Sequence, residues 1–138
     1  MVLDTDHLTE LGYGTPPGRR LAARIKKSSE KDAITIISVH EQLRGLLAKL
    51  AATKAMEDQV LAYTWLGERL KLLSKFSHLP FDSEAAARFL KLRKQGIRIG
   101  TMDLKIACIV MEHDAVLLTR NTVDFEKVPG LKFENWLD

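Results

Sequence analysis

Apolar positions follow two alternating rhythms along the chain. Short runs rich in Val, Ile and Leu stand between longer stretches in which apolar residues return every three or four positions. The short runs predict buried strands, and the longer stretches predict helices with one packed face. Met1–Leu3, Ala33–Ile37, Phe76–Phe81, Ala115–Thr119 and Leu131–Glu134 read as strands. Between them, His7–Gly14 reads as a short helix ended by Gly12, Gly14 and the Pro16-Pro17 pair, and Gly18–Ser29 as a basic amphipathic helix. Ser38 opens a third helix with the stripe Val39, Leu43, Leu46, Leu47 and Leu50. Asp82 or Ser83 caps a helix running to about Gln95. After a turn at Gly96–Gly100, Thr101 caps another, with Leu104, Ala107, Cys108 and Met111 on its core face. Strands alternating with helices predict an α/β fold, residues 1–138 forming a single domain around a mostly parallel sheet of four to five strands.

One stretch departs from the single-face pattern. From Thr53 to Lys75, Ala62, Leu66, Leu70 and Leu73 lie beside Leu61, Trp65 and Leu72. One packed face needs fewer apolar positions. The leucines suit a helix sunk into its own core, and Trp65 suits contact with another chain.

Composition narrows the function classes. The longest purely apolar stretch, Ile106–Met111, is far short of a membrane span, and Asp4 and Asp6 do not suit a signal peptide. A single cysteine, Cys108, excludes a disulfide framework and any multi-cysteine zinc site. The cytoplasm is the expected compartment. Net charge is only +3, but the cations are grouped. Arg19, Arg20, Arg24, Lys26 and Lys27 fall in a stretch free of acids, as do Arg88, Lys91, Arg93, Lys94 and Arg98. Such stripes attract a polyanion such as RNA, or are simply solvated helix faces.

Four acids stand out by position. Asp4 closes the first strand, Glu41 lies in the first turn of the helix after the second, and Asp103 follows the glycine turn at the start of its helix. Asp124 lies in the segment Thr119-Arg120-Asn121-Thr122-Val123-Asp124 after a later strand. A parallel sheet gathers strand ends and following helix starts along one edge, where such folds bind ligands. Carboxylates crowded there repel unless a cation balances them, and hard divalent ions prefer oxygen. The histidines His7, His40, His78 and His113 lack zinc spacing, and no glycine-rich phosphate loop is present. Each acid also has a local explanation. Ser38-Val39-His40-Glu41 and Asn121-Thr122-Val123-Asp124 fit capping patterns, Asp103 suits a helix start, and Asp4 could cap a helix beginning at Thr5.

These segments resemble the PIN-domain ribonucleases, and within them the VapC-type toxins of toxin–antitoxin pairs. The likeness rests on Leu3-Asp4-Thr5-Asp6-His7-Leu8, on Ile37-Ser38-Val39-His40-Glu41-Gln42-Leu43-Arg44-Gly45, on Ile99-Gly100-Thr101-Met102-Asp103 and on Leu118-Thr119-Arg120-Asn121-Thr122-Val123-Asp124-Phe125, in that order. The ending from Val128-Pro129-Gly130-Leu131 to Asn135-Trp136 is also family-like. The resemblance implies a three-layer sandwich and an endoribonuclease using Mg²⁺ or Mn²⁺. It implies Asp4, Glu41, Asp103 and Asp124 as metal-binding and catalytic acids, with Thr5, Thr119 and Asn121 in support. It further implies a homodimer and a VapB-type antitoxin partner. Arg19, Arg20, Arg24, Arg93, Lys94 and Arg98 are the expected RNA contacts. Asp6 departs from the family's usual asparagine and is either a fifth acid or a loop residue; His40 has no clear role there. Two other readings stand beside this one: a catalytically idle PIN-like module that binds RNA or protein, and a phosphoacceptor receiver domain in which Asp4 and Asp6 form the acid pair. The receiver reading lacks a suitable acceptor aspartate and a late lysine.

Overall fold

The computed structural model describes residues 1–138. Its elements are β1 (Val2–Leu3), α1 (Thr5–Tyr13), α2 (Pro16–Lys27), β2 (Ala33–Thr35), α3 (Ile36–Ala52), α4 (Met56–Leu73), β3 (Ser77–Leu79), α5 (Ser83–Lys94), α6 (Thr101–Glu112), β4 (Val116–Leu118), α7 (Thr122–Phe125) and β5 (Lys132–Glu134). The five strands form one sheet in the order β3-β2-β1-β4-β5, and every neighbouring pair is parallel. Val2 and Leu3 lie opposite Ala33 and Ile34 on one side and opposite Leu117 and Leu118 on the other. The chain therefore leaves β1 toward one edge and returns beside it as β4. That reversal opens a crevice at the carboxyl ends of β1 and β4.

Because strand side chains alternate between faces, the sheet separates two cores. Val2 and Leu117 point into the larger one, with Leu92 of α5 and Leu104, Ala107 and Cys108 of α6. Leu3, Ile34 and Leu118 point into the other, with Leu8 of α1 and Leu73 of α4. Helices thus cover both faces, giving the expected three-layer sandwich. No helix is long and apolar enough to cross a membrane.

Several boundaries differ from the sequence expectation. The second strand ends at Thr35 instead of Ile37, because the Thr35 side chain accepts the Ser38 amide and starts α3 there. Ser38 is therefore inside the helix, and Glu41 falls in its second turn, where no capping box can form. Thr101 begins α6 but does not cap it; Gly100 holds the cap position without a side-chain bond. Asn121 precedes the short helix α7 and makes no capping bond either. The stretch expected as helix from Thr53 begins at Met56, since α3 continues to Ala52 and Thr53 terminates it. Leu47, expected on the packed stripe of α3, is 51% exposed.

Candidate metal and nucleic-acid site

The crevice between β1 and β4 is built by two short connections. Asp4 follows β1 and caps α1, its Oδ1 accepting the Thr5 amide at 2.8 Å. Thr119 follows β4, is fully buried, and donates its hydroxyl to Asp4 Oδ2 at 2.8 Å. The same hydroxyl oxygen accepts the Asn121 amide at 3.0 Å. Both carboxylate oxygens of Asp4 are therefore oriented by groups rigidly attached to the sheet. Its local explanation as a cap is realised, but capping alone does not account for the buried bond from Thr119.

Around this pair the other acids arrive from separate helices. Thr5 Oγ1 donates to Glu41 Oε1 at 3.1 Å, tying α1 to α3. Asn121 Nδ2 bridges two acids, donating to Asp103 at 3.2 Å and to Asp124 at 2.9 Å. Asp6 lies in the first turn of α1, not in a loop. Its Oδ1 is 2.7 Å from His7 Nδ1, and its Oδ2 accepts the Arg120 amide at 2.9 Å. His7 is fully buried and its Nε2 accepts the Trp136 amide, so Nδ1 carries the proton given to Asp6. His40, by contrast, is exposed.

Asp4, Thr5, Asp6, Thr9, Glu10, Glu41, Asp103, Arg120 and Asn121 line one cavity of about 430 Å³, with no hydrophobic residue among them. Asp124 is not among the lining residues; it is joined to the cavity only through Asn121 and also meets Lys127 at 3.5 Å. Sequence reasoning missed Glu10 and Arg120. The Arg120 guanidinium lies 3.1 Å from Glu10 and 3.5 Å from Asp138, so the one cation in the cavity wall is already balanced. Its only signal in the sequence was its place between Thr119 and Asn121.

The electrostatics follow from this crowding. Burial, and then the neighbouring Asp6 charge, push the Asp4 carboxyl up to about 7, against the bonds from Thr119 and Thr5. Burial raises Asp103 as well, helped by Glu41 and Asp124. Asp124 is held below the usual carboxylate range by the Asn121 bond.

No three carboxylate, imidazole or thiol groups form a closed ligand set, which does not suit a structural zinc site. Magnesium and manganese ask for less. Such ions prefer oxygen, magnesium keeps several of its waters, and one or two carboxylates suffice to hold it. An open, all-polar cavity with surplus negative charge fits that requirement, and Asp4 and Asp103 are the acids whose burial most favours a counter-ion.

The six expected RNA contacts differ in availability. Arg20, Lys94 and Arg98 are exposed and make no ion pair or hydrogen bond within the chain. Arg19 donates to the Gly14 carbonyl, and Arg24 stacks on Trp136 with its guanidinium carbon 3.9 Å from the ring centre. Arg93 spends two guanidinium nitrogens on the carbonyls of Ile97 and Ile99. It fastens the turn after α5, so its charge serves the fold first.

Comparison with known proteins agrees with this architecture. The chain is 28% identical over 137 residues to ribonuclease VapC1 of Haemophilus influenzae strain R2866, covering 98% of this chain and 96% of that protein. Its fold matches the structure of VapBC-1 from nontypeable Haemophilus influenzae with a TM-score of 0.68 and 26% identity, over 99% of this chain and 98% of that one. It also matches VapBC2 from Rickettsia felis, solved bound to a DNA fragment from their promoter, with a TM-score of 0.71 and 22% identity, over 98% and 97% of the two chains; that likeness concerns the fold alone. The sequence pattern of the PIN domain matches residues 1–131, and the chain belongs to the PIN domain family.

Proposed function

We propose that this protein is an Mg²⁺- or Mn²⁺-dependent endoribonuclease, the toxin of a VapBC-type pair. The observation that carries the reading is Asp4. It is a buried carboxylate, fixed by the Thr5 amide and Thr119 hydroxyl, facing a wholly polar cavity shared with Asp6, Glu41 and Asp103. A fold that needed only a helix cap has no use for that much unrelieved charge.

In this reading Asp4 and Asp103 hold the ion, with Glu41 beside them and Asp124 acting through Asn121. A bound Mg²⁺ or Mn²⁺ lowers the pKa of water and offsets the charge that develops on a phosphodiester in attack. Thr119 and the Thr5 amide hold Asp4 in one orientation, so little rearrangement is needed during the reaction. Asn121 bridges Asp103 and Asp124 by donating to both, which offsets part of their mutual repulsion. His7 and the Arg120 amide together occupy both oxygens of Asp6, which leaves it a fixed wall charge more than a free ligand. Arg20, Lys94 and Arg98 are the cations free to hold the RNA backbone. Products of such hydrolysis carry 5′-phosphate and 3′-hydroxyl ends.

The partner we propose is a VapB-type antitoxin. Support comes from the apolar surface that the α3–α4 pair leaves uncovered: Leu47, Met56, Val60, Leu61, Tyr63, Trp65 and Leu70 are all exposed. A surface of that kind is a place for protein contact, and a homodimer would use part of it.

The test is cleavage of RNA by purified protein with added Mg²⁺ or Mn²⁺, stopped by EDTA, with end chemistry read by phosphatase and ligase sensitivity. Undetectable metal binding by calorimetry together with no cleavage of total RNA would favour the idle binding module instead, and cleavage unaffected by EDTA would overturn the metal dependence.

A further inference from the structure

Resting on the reading that a protein partner docks on the α3–α4 surface, we infer that the groove between α1, α3 and α4 is a receptor for a peptide carboxylate flanked by an apolar ring, with the Arg69 guanidinium as its anchor. The groove has a volume of about 630 Å³, and Leu11, Leu46, Trp65 and Leu72 supply apolar wall. Arg69 lines it and is only 9% exposed. Its one hydrogen bond runs from Nη1 to the Leu8 carbonyl at 3.2 Å. Every acidic side chain lies beyond ion-pair distance from it. Burial holds its pKa below the usual arginine value, with desolvation the main cause.

The chain makes room for this cation. A Cβ at Gly12 would stand 2.5 Å from Arg69 Nη1 and 2.6 Å from Nη2, so a larger residue there would push the guanidinium out of its present position. A buried charge without a counter-ion is costly, and a cost of that kind is relieved when an opposite charge arrives. Guanidinium offers a planar fork that matches a carboxylate at two points. Lys49 and Lys75 also line the groove, against Glu41 and Glu68, so cations outnumber acids in its wall. The ring of Trp65, already covered by Lys49 Nζ at 4.3 Å, is the neighbouring apolar contact.

Two further observations choose the occupant. The charge is buried in the groove wall, its guanidinium carbon 5.7 Å from the centre of the Tyr13 ring, whereas a nucleic-acid backbone is better suited to exposed cations such as Arg20 and Lys94 on other helices. The groove also shares Thr9 and Glu41 with the acidic cleft. A peptide anchored at Arg69 therefore lies at the mouth of the cleft and can obstruct it.

The experiment uses the whole protein and three probes: indolepropionate, its neutral amide and a single-stranded oligouridylate. Binding is read by heteronuclear NMR at the Arg69 Nε–H and the Trp65 indole N–H. The carboxylate should shift both signals saturably, with the amide about tenfold weaker, the usual worth of one charge-assisted contact. Arg69→Met should remove that difference. If Arg69→Met does not fold, Gly12→Ala, which displaces the guanidinium and keeps its charge, should weaken the acid and spare the amide. Equal binding of acid and amide, no saturable shift, or displacement of indolepropionate from Arg69 by oligouridylate overturns the inference. RNA cleavage measured on the same preparation reports separately on the nuclease reading, so the two can fail independently.

Discussion

The hydroxyl of Thr119 meets the carboxylate of Asp4 at 2.8 Å, joining residues 115 positions apart across the central strands. Thr119→Val keeps the shape and removes that donor. It also removes the acceptor for the Asn121 amide. Partners that orient a metal-ligating group typically contribute ten- to a hundred-fold in affinity or activity, so we expect a loss of about that size. The loss should appear as weaker activation in an Mn²⁺ titration of RNA cleavage, while the thermal melt falls modestly. Cleavage equal to the parent at all Mn²⁺ concentrations would show that Thr119 serves only packing.

Asp4 also gives a pH prediction. Its carboxyl is raised from an ordinary value of 3.8 to about 7. A raised carboxylate contributes stability below its unfolded pKa and loses it as pH climbs through the folded one. Without added metal, the parent protein should therefore melt at progressively lower temperature between about pH 4 and pH 8. The ceiling on this loss is about 4 kcal/mol, at 1.36 kcal/mol per pKa unit. Asp4→Asn should flatten the slope and melt higher than the parent at pH 8, and it should abolish RNA cleavage. Added Mg²⁺ should raise the parent's melt and leave the variant's unmoved. A variant that melts lower at pH 8 would mark Asp4 as a structural cap.

Strands and acids were not equally readable before the structure. The three central strands were visible as apolar runs because a parallel sheet covered on both faces demands them, whereas the edge strands Ser77–Leu79 and Lys132–Glu134 each carry a single apolar residue and gave a weaker signal. The edge position of Asp4, Glu41 and Asp103 followed from the same topology. The start of α3 was misplaced because Thr35 and Ser38 are both hydroxyl residues three positions apart, and either can begin a helix. Arg120 carried no local pattern, since its partners Glu10 and Asp138 are distant or terminal. Arg69 was hidden for a similar reason: it reads as the polar face of α4 until Gly12 is seen beneath it. Asp124 belongs to the fourth motif, yet its side chain is turned behind Asn121, a direction that spacing alone does not give.

Asp103 and Asp124 share one donor, but their surroundings differ. Asp103 lines the cavity, whereas Asp124 is set back beside Lys127 with its side chain 38% exposed. Asp103→Asn should therefore lower cleavage on the order of a hundredfold, and Asp124→Asn by about tenfold or less. Manganese binding followed by electron paramagnetic resonance should rank the two variants in the same order. The reverse order would mean that Asp124, not Asp103, carries the ion's charge.

The basic helices allow a test that separates holding RNA from holding the fold. Each phosphate neutralised by a protein cation adds about 0.7 to the slope of log affinity against log salt on single strands. Arg20→Ala, Lys94→Ala and Arg98→Ala remove exposed cations with no partner in the chain. Each should lower the slope by up to that amount and leave the melting temperature within error. Arg93→Ala is the contrast, because its guanidinium bonds to Ile97 and Ile99 hold the loop leading into α6, where Asp103 resides. It should lower the unfolding free energy by about 1–2 kcal/mol, the worth of two charge-assisted bonds partly replaced by water, and the melting temperature with it. Its cleavage should fall even at low salt, where backbone affinity no longer limits the rate. If Arg93→Ala instead changes only the salt slope, the turn holds itself and Arg93 belongs with the RNA contacts.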